Sequence, residues 1–169
     1  MSVKKDLGII FGLFFIVVLL LVFGGSNTST TFFQRRESTG SASLYMERPL
    51  SIKDTNFTVE VADTAEKRRL GLGKRESLKI DRGMLFVFDQ TANYTFWMKD
   101  MKFAIDIIWL DENKKVVYMA TDVPSEPDKK DAELKKYNLG VQAKYVLEIN
   151  AGLAASHNIQ VGDSAIFSL

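Results

Sequence analysis

The chain has 169 residues, with 22 basic and 21 acidic side chains and a formal net charge of +1. So even a balance argues against a nucleic-acid partner, which calls for a clear cationic excess. Cysteine is absent and His157 is the sole histidine. That excludes disulfides, thiolate zinc sites, a cysteine nucleophile, a lipid-modified cysteine and any multi-histidine metal site, so neither a metal nor a cofactor is expected.

Residues 7–23, LGIIFGLFFIVVLLLVF, form an unbroken apolar run behind Lys4 and Lys5, and no further charge follows until Arg35. As a helix this run spans about 25 Å, and Gly24 and Gly25 bring it near the roughly 30 Å of a bilayer core. Lysines on the short leading flank place the amino terminus in the cytoplasm and the remainder outside. The alternative is a cleaved signal peptide, whose apolar region is usually shorter. Residues 24–43 are rich in Ser, Thr and Gly and read as a flexible tether. The expected layout is an anchor over 1–25, a tether over 26–43 and an extracytoplasmic domain over 44–169.

From Phe57 onward, short β-branched and aromatic runs alternate with turn signals. Strands are predicted at 57–62, 83–88, 94–99, 103–110, 115–121, 145–150 and 165–169. One helix is expected to start at Asp63 as N-cap, with Glu66 completing a capping box, and to end near Gly71 and Gly73. A second, short one covers 153–157. Seven short strands with two small helices predict an all-β dominated barrel or sandwich. Residues 122–138 are dense in charge and carry Pro124 and Pro127. They read as a long surface loop and as a candidate lid or docking segment.

The strand over 103–110 places Phe103, Ile105, Ile107 and Trp109 on one face and Ala104, Asp106, Ile108 and Leu110 on the other. Both faces are apolar, so the strand is central. Asp106 must then be paired, hydrogen-bonded or protonated, either as an active-site or ligand-binding acid or as a structural acid held by turn amides or by a base such as Lys99 or Arg82. In 96–100, Phe96 and Met98 point one way and Trp97 and Lys99 the other. Trp97 beside Lys99 offers a stacking surface next to a cation, suited to a sugar or planar anion, or else an ordinary core aromatic.

Glu148 sits on the face opposite Tyr145, Leu147 and Ile149. If their strands are neighbours it could form a carboxylate pair with Asp106, for acid–base chemistry or a calcium-like cation, and otherwise it is a solvent-facing glutamate. Arg68, Arg69, Lys74 and Arg75 form a candidate anion patch within a locally basic stretch, which is alternatively just a solvated surface.

These segments, taken in order, resemble a known family. The carriers are Arg69-Leu70-Gly71-Leu72, Gly83-Met84-Leu85-Phe86-Val87-Phe88, Phe96-Trp97-Met98-Lys99-Asp100-Met101, Ile105-Asp106-Ile107-Ile108-Trp109-Leu110-Asp111, Tyr145-Val146-Leu147-Glu148-Ile149-Asn150-Ala151-Gly152 and Val161-Gly162-Asp163. The pattern is similar to the prokaryotic domain of unknown function 192 over about residues 57–169. It departs from that family at Gly73, often Met there, at Asp100, often Asn, and at Ala104, often Pro. The resemblance implies a compact β-rich domain, often secreted or membrane-tethered, and implies no established activity.

The expectation for function is a membrane-anchored accessory or binding domain for an envelope ligand or protein, held in the lipid bilayer through residues 7–23. Trp97, Lys99, Asp100 and Asp106 are its candidate ligand contacts. The rival is an envelope-polymer hydrolase with Asp106 and Glu148 as a carboxylate pair. A third reading is a structural partner that docks through 122–138.

Overall fold

Alternating apolar residues build one curled seven-stranded sheet. The computed structural model describes residues 44–137 and 140–169. The apolar run 7–23 and the tether lie outside the described residues, among which no helix is long and apolar enough to cross a membrane. In chain order the elements are β1 (Met46–Ile52), β2 (Thr55–Ala62), α1 (Ala65–Leu70), β3 (Arg82–Ala92), β4 (Phe96–Trp97), β5 (Ile105–Leu110), β6 (Val116–Val123), β7 (Lys136–Tyr137), β8 (Ala143–Asn150), α2 (Leu153–Ser156) and β9 (Ala165–Phe167).

The sheet runs β6-β5-β8-β3-β2-β1-β9, and β4 pairs with β7 as a separate ribbon. Neighbours are antiparallel except β2 and β3, which are parallel. The two outer strands meet at one end. Val116 N–H donates to the Asp163 carbonyl and Ala165 N–H to the Lys114 carbonyl, both at 2.8 Å. The result is a half-barrel, β-dominated with two short helices, as the strand pattern predicts.

Each face of this sheet carries its own apolar cluster. Leu50, Ile52, Phe57, Val59, Leu85, Ile108, Leu110, Leu147 and Ile149 fill the inside of the curl, together with Val116, Ala165 and Phe167 from the ends that meet. The other face presents Met84, Phe86, Ile105, Ile107, Trp109 and Val146, covered by Leu72, Phe96, Met98 and Met101. β5 is buried along its whole length, which confirms its central place. Each fully buried aliphatic side chain stabilises the fold by about 1.5–3 kcal/mol before entropy is subtracted.

Three local details differ from expectation. β1 lies upstream of the predicted strands. Pro49 disguises it in the sequence, because proline cannot donate to a ladder. It is tolerated because pairing to β9 begins only at Leu50. The N-cap of α1 is Thr64, whose side chain accepts from Lys67 N–H, while Asp63 instead pairs with Lys67 at 2.8 Å. The capping box with Glu66 therefore does not form. Within 122–138, β6 runs on to Val123, β7 forms at Lys136–Tyr137 and Leu134 is buried. Much of that segment is thus docked rather than a free loop.

Gly83 fixes the approach of β3 to β8. A Cβ there would lie 2.8 Å from the Glu148 carbonyl oxygen, closer than atoms in contact come, and a tight 3.1 Å from Ile149 Cγ2. Glycine at this position lets Met84 sit directly opposite Glu148, and so places that carboxyl on the covered outer face of the sheet.

Candidate binding cleft

The face that carries Met84, Phe86 and Ile107 also carries the cleft. Strand alternation sends Phe96 and Met98 into the core and leaves Trp97 43% exposed. Lys99 Nζ lies 5.6 Å from the Trp97 ring centroid, a cation over an aromatic face. The same lysine pairs with Asp131, and β7 pairs with β4 so that Lys136 stands opposite Trp97. The charged segment 122–138 therefore braces the Trp97–Lys99 surface from the side.

Trp97 and Lys99 line a cleft of about 280 Å³. Its aromatic wall comprises Phe86, Phe88, Tyr94 and Phe96. Phe88 and Tyr94 stack at 3.5 Å between centroids, and Phe86 meets Phe96 edge-on at 4.9 Å. The α1 end supplies Arg68 and Arg69, followed by Leu70, Gly71, Leu72 and Gly73. Gly71 adopts φ +51°, and a Cβ there would stand 3.4 Å from the Phe86 ring. The helix can thus end and turn back directly over the aromatic wall.

Glu148 is the one acid of the lining. It is only 5% exposed, and Oε2 has no hydrogen-bond partner. Burial pushes its carboxyl up to about 8, and the Arg75 charge opposes that rise only in part. At neutral pH the group is mainly a neutral carboxyl, able both to donate and to accept. A buried polar atom left unpaired costs about 1–3 kcal/mol. Glu148 is part of the cleft lining, and this orphaned oxygen lies just beneath the cleft surface.

The four cations of the candidate patch separate. Arg68 is half-buried and committed: its Nη1 donates to the Asp63 carbonyl at 2.9 Å and the Val87 carbonyl at 2.7 Å, and its guanidinium lies 5.1 Å from the Phe88 centroid. Arg69 is exposed on the rim. Arg75 forms a bidentate pair with Glu60, both contacts at 2.7 Å. Lys74 and Arg75 do not line the cleft. The anion-facing charges are therefore Arg69 and Lys99, with Arg68 behind them.

Two further candidates are not part of the cleft lining. Asp100 is exposed, at φ 58°, and its contact is through the backbone, where its carbonyl accepts from Lys74 N–H at 2.7 Å. Asp106 is fully buried. Its Oδ1 accepts from Asp122 N–H at 2.8 Å and Gly152 N–H at 3.2 Å, and its Oδ2 from Ala154 N–H at 2.8 Å. It is a structural acid that ties β6 and the start of α2 to β5.

The carboxylate pair does not form. β5 and β8 are neighbours, but Asp106 stands opposite Ile149 and Ile107 opposite Glu148. Directly opposed residues share a face, so Asp106 and Glu148 project from opposite sides of the sheet. His157, at the C-cap of α2, is exposed and does not line the cleft. Among the described residues no cluster of three or more acids, histidines or cysteines is placed to hold a metal ion.

Residue-type reasoning singles out Trp97, Lys99, Arg68, Arg69 and Glu148 but does not bring them together. The contributions of Phe88 and Tyr94 go unnoticed because aromatic residues in a β-rich chain read as core. The signal that could have joined them is the shared face. Met84, Phe86 and Phe88 alternate on β3, and Glu148 falls in register with Met84.

Two solved structures share this fold. A Sinorhizobium meliloti 1021 protein, described as a candidate transcription regulator, matches with 23% identity and a TM-score of 0.66, over 73% of this chain and 95% of its own. A Novosphingobium aromaticivorans DSM 12444 protein of unknown function matches with 27% identity and a TM-score of 0.66, over 75% of this chain and 89% of its own. No curated protein matches. The model of the family DUF192, Uncharacterized ACR, matches residues 48–167, well over half of the chain, and the chain therefore belongs to the DUF192 family.

Proposed function

We propose that this protein is a binding module for a small ligand, and that the Trp97–Lys99 cleft is its site. The observation that carries the reading is the cleft itself. A half-exposed indole and two accessible cations lead into an aromatic-walled space in which a buried carboxyl lacks a partner. Sites of this kind combine apolar walls with a few polar groups that fix orientation. The hydrolase alternative loses its carboxylate pair to the β5–β8 register.

Mutagenesis at the rim tests the site. Compounds from a panel of envelope glycans and planar anions that raise the melting temperature of the full chain should lose that effect in Trp97→Ala. Anionic ones should lose most of it in Lys99→Met, whose stem preserves packing. A compound that stabilises Trp97→Ala as well as the parent binds elsewhere, and would remove the cleft as the site.

The same reading places the module outside the cytoplasmic membrane, facing the envelope. Support comes from the apolar run 7–23, the lysines before it and the Ser/Thr/Gly-rich stretch 26–43. The full chain should fractionate with membranes, and protease added to spheroplasts should digest the C-terminal domain. Its protection behind an intact membrane would reverse the topology.

A further inference from the structure

Resting on the binding reading, we propose that the cleft takes an anionic monosaccharide, with its ring on Trp97, its acid group held by Arg69 and Lys99, and a ring hydroxyl paired with Glu148. Size supports a single ring: about 280 Å³ falls just below the range of pockets that hold drug-sized ligands. Charge supports an anion, because the accessible charges of the lining are basic and its one acid is buried. The exposed indole supplies an amphipathic stacking surface.

Glu148 narrows the class. A flat aromatic anion such as benzoate would satisfy the cations and the aromatic wall yet leave Oε2 unpaired. Hydroxyls both donate and accept, so they can answer this carboxyl in either protonation state. An ammonium group could also bond to it, but the positive charges of Arg68 and Arg69 in the lining stand against a cation here. A sugar bearing a carboxylate or phosphate meets all three requirements, with hydroxyls at one end and the anion at the other.

The test uses the full chain carrying Trp109→Phe, so that Trp97 is the remaining indole, titrated with glucuronate, glucose 6-phosphate, glucose and benzoate while its emission is followed. At least one of the two anionic sugars should give a saturable change, and the stronger of them identifies the anion as carboxylate or phosphate. Glucose, without charge, should bind at least about tenfold more weakly, the loss expected for a charge-assisted contact, and benzoate, without hydroxyls, about tenfold more weakly, the loss expected for one well-made hydrogen bond.

Glu148→Ala should weaken the anionic sugar about tenfold and leave benzoate unchanged. Glu148→Gln, which keeps a donor and an acceptor in the same shape, should retain binding within about threefold and guards against a folding defect in the alanine variant. Benzoate or glucose binding as tightly as the anionic sugars would overturn the assignment. So would an anionic sugar whose affinity is unchanged in a folded Glu148→Ala. Silence from all four probes, with Trp97 still reachable by a small quencher, would overturn the ligand class while leaving the cleft open as a site. An unreachable Trp97 would instead remove the binding reading itself.

Discussion

Asp106→Ala should lower the stability of the domain by on the order of 4 kcal/mol, and its melting temperature by more than about 10 °C. The substitution strands three backbone N–H groups at once, those of Asp122, Gly152 and Ala154, around a side chain with no solvent exposure. Each unsatisfied buried donor costs about 1–3 kcal/mol. Asp106→Asn should fall between parent and alanine, since one oxygen can still serve Asp122 and Gly152, while the new amide turns a donor toward Ala154 N–H. Thermal unfolding of the three proteins checks this. An alanine variant that melts within a degree of the parent would mean that Asp106 holds nothing together.

Glu148→Gln should act in the opposite direction, and only at the higher pH. The folded carboxyl holds its proton up to about 8, whereas an ordinary one releases it near 4.5. Between those values the native state binds more protons than the unfolded chain, so stability falls as pH rises through this window and levels off above it. The displacement is equivalent to on the order of 5 kcal/mol once pH exceeds 8. Glutamine does not titrate and fits the same space. The variant should match the parent near pH 4.5 and exceed it by several kcal/mol near pH 8.5 in urea unfolding. A difference that stays constant between those pH values would show that the carboxyl is solvated and ionises normally.

These two acids also show what the sequence could disclose. An acid flanked by apolar residues on both faces of a run such as 103–110 must be buried and satisfied, so the structural role of Asp106 was one of two legible readings. Its partners were not legible, because they come from β6 and from the turn before α2, far along the chain. Glu148 is harder to read, since its sequence context admits a pair with Asp106 or exposure to solvent. The register of β8 against β5, together with the cover formed by residues 72–101, decides the matter, and neither leaves a local trace.

Strand alternation separates Trp97 and Lys99 from Phe96 and Met98 but leaves open whether Trp97 is a stacking surface or a core aromatic; only the fold, which leaves its indole exposed, decides. Pro49 hid β1 for a physical reason that the observed pairing resolves. β7 went unread because two residues in a charged segment carry no period, and only pairing to β4 makes them a strand.

The binding reading stands on an accessible cleft with a cationic mouth at Trp97. Iodide quenching of Trp97 fluorescence tests it most directly, in a Trp109→Phe background shown to be folded, because Trp109 is buried and donates to the Tyr94 carbonyl at 3.2 Å. Iodide should quench Trp97 efficiently, more than caesium does, and the preference should fall as salt screens Lys99 and Arg69. Emission that iodide cannot reach would place the indole in the core and contradict the account.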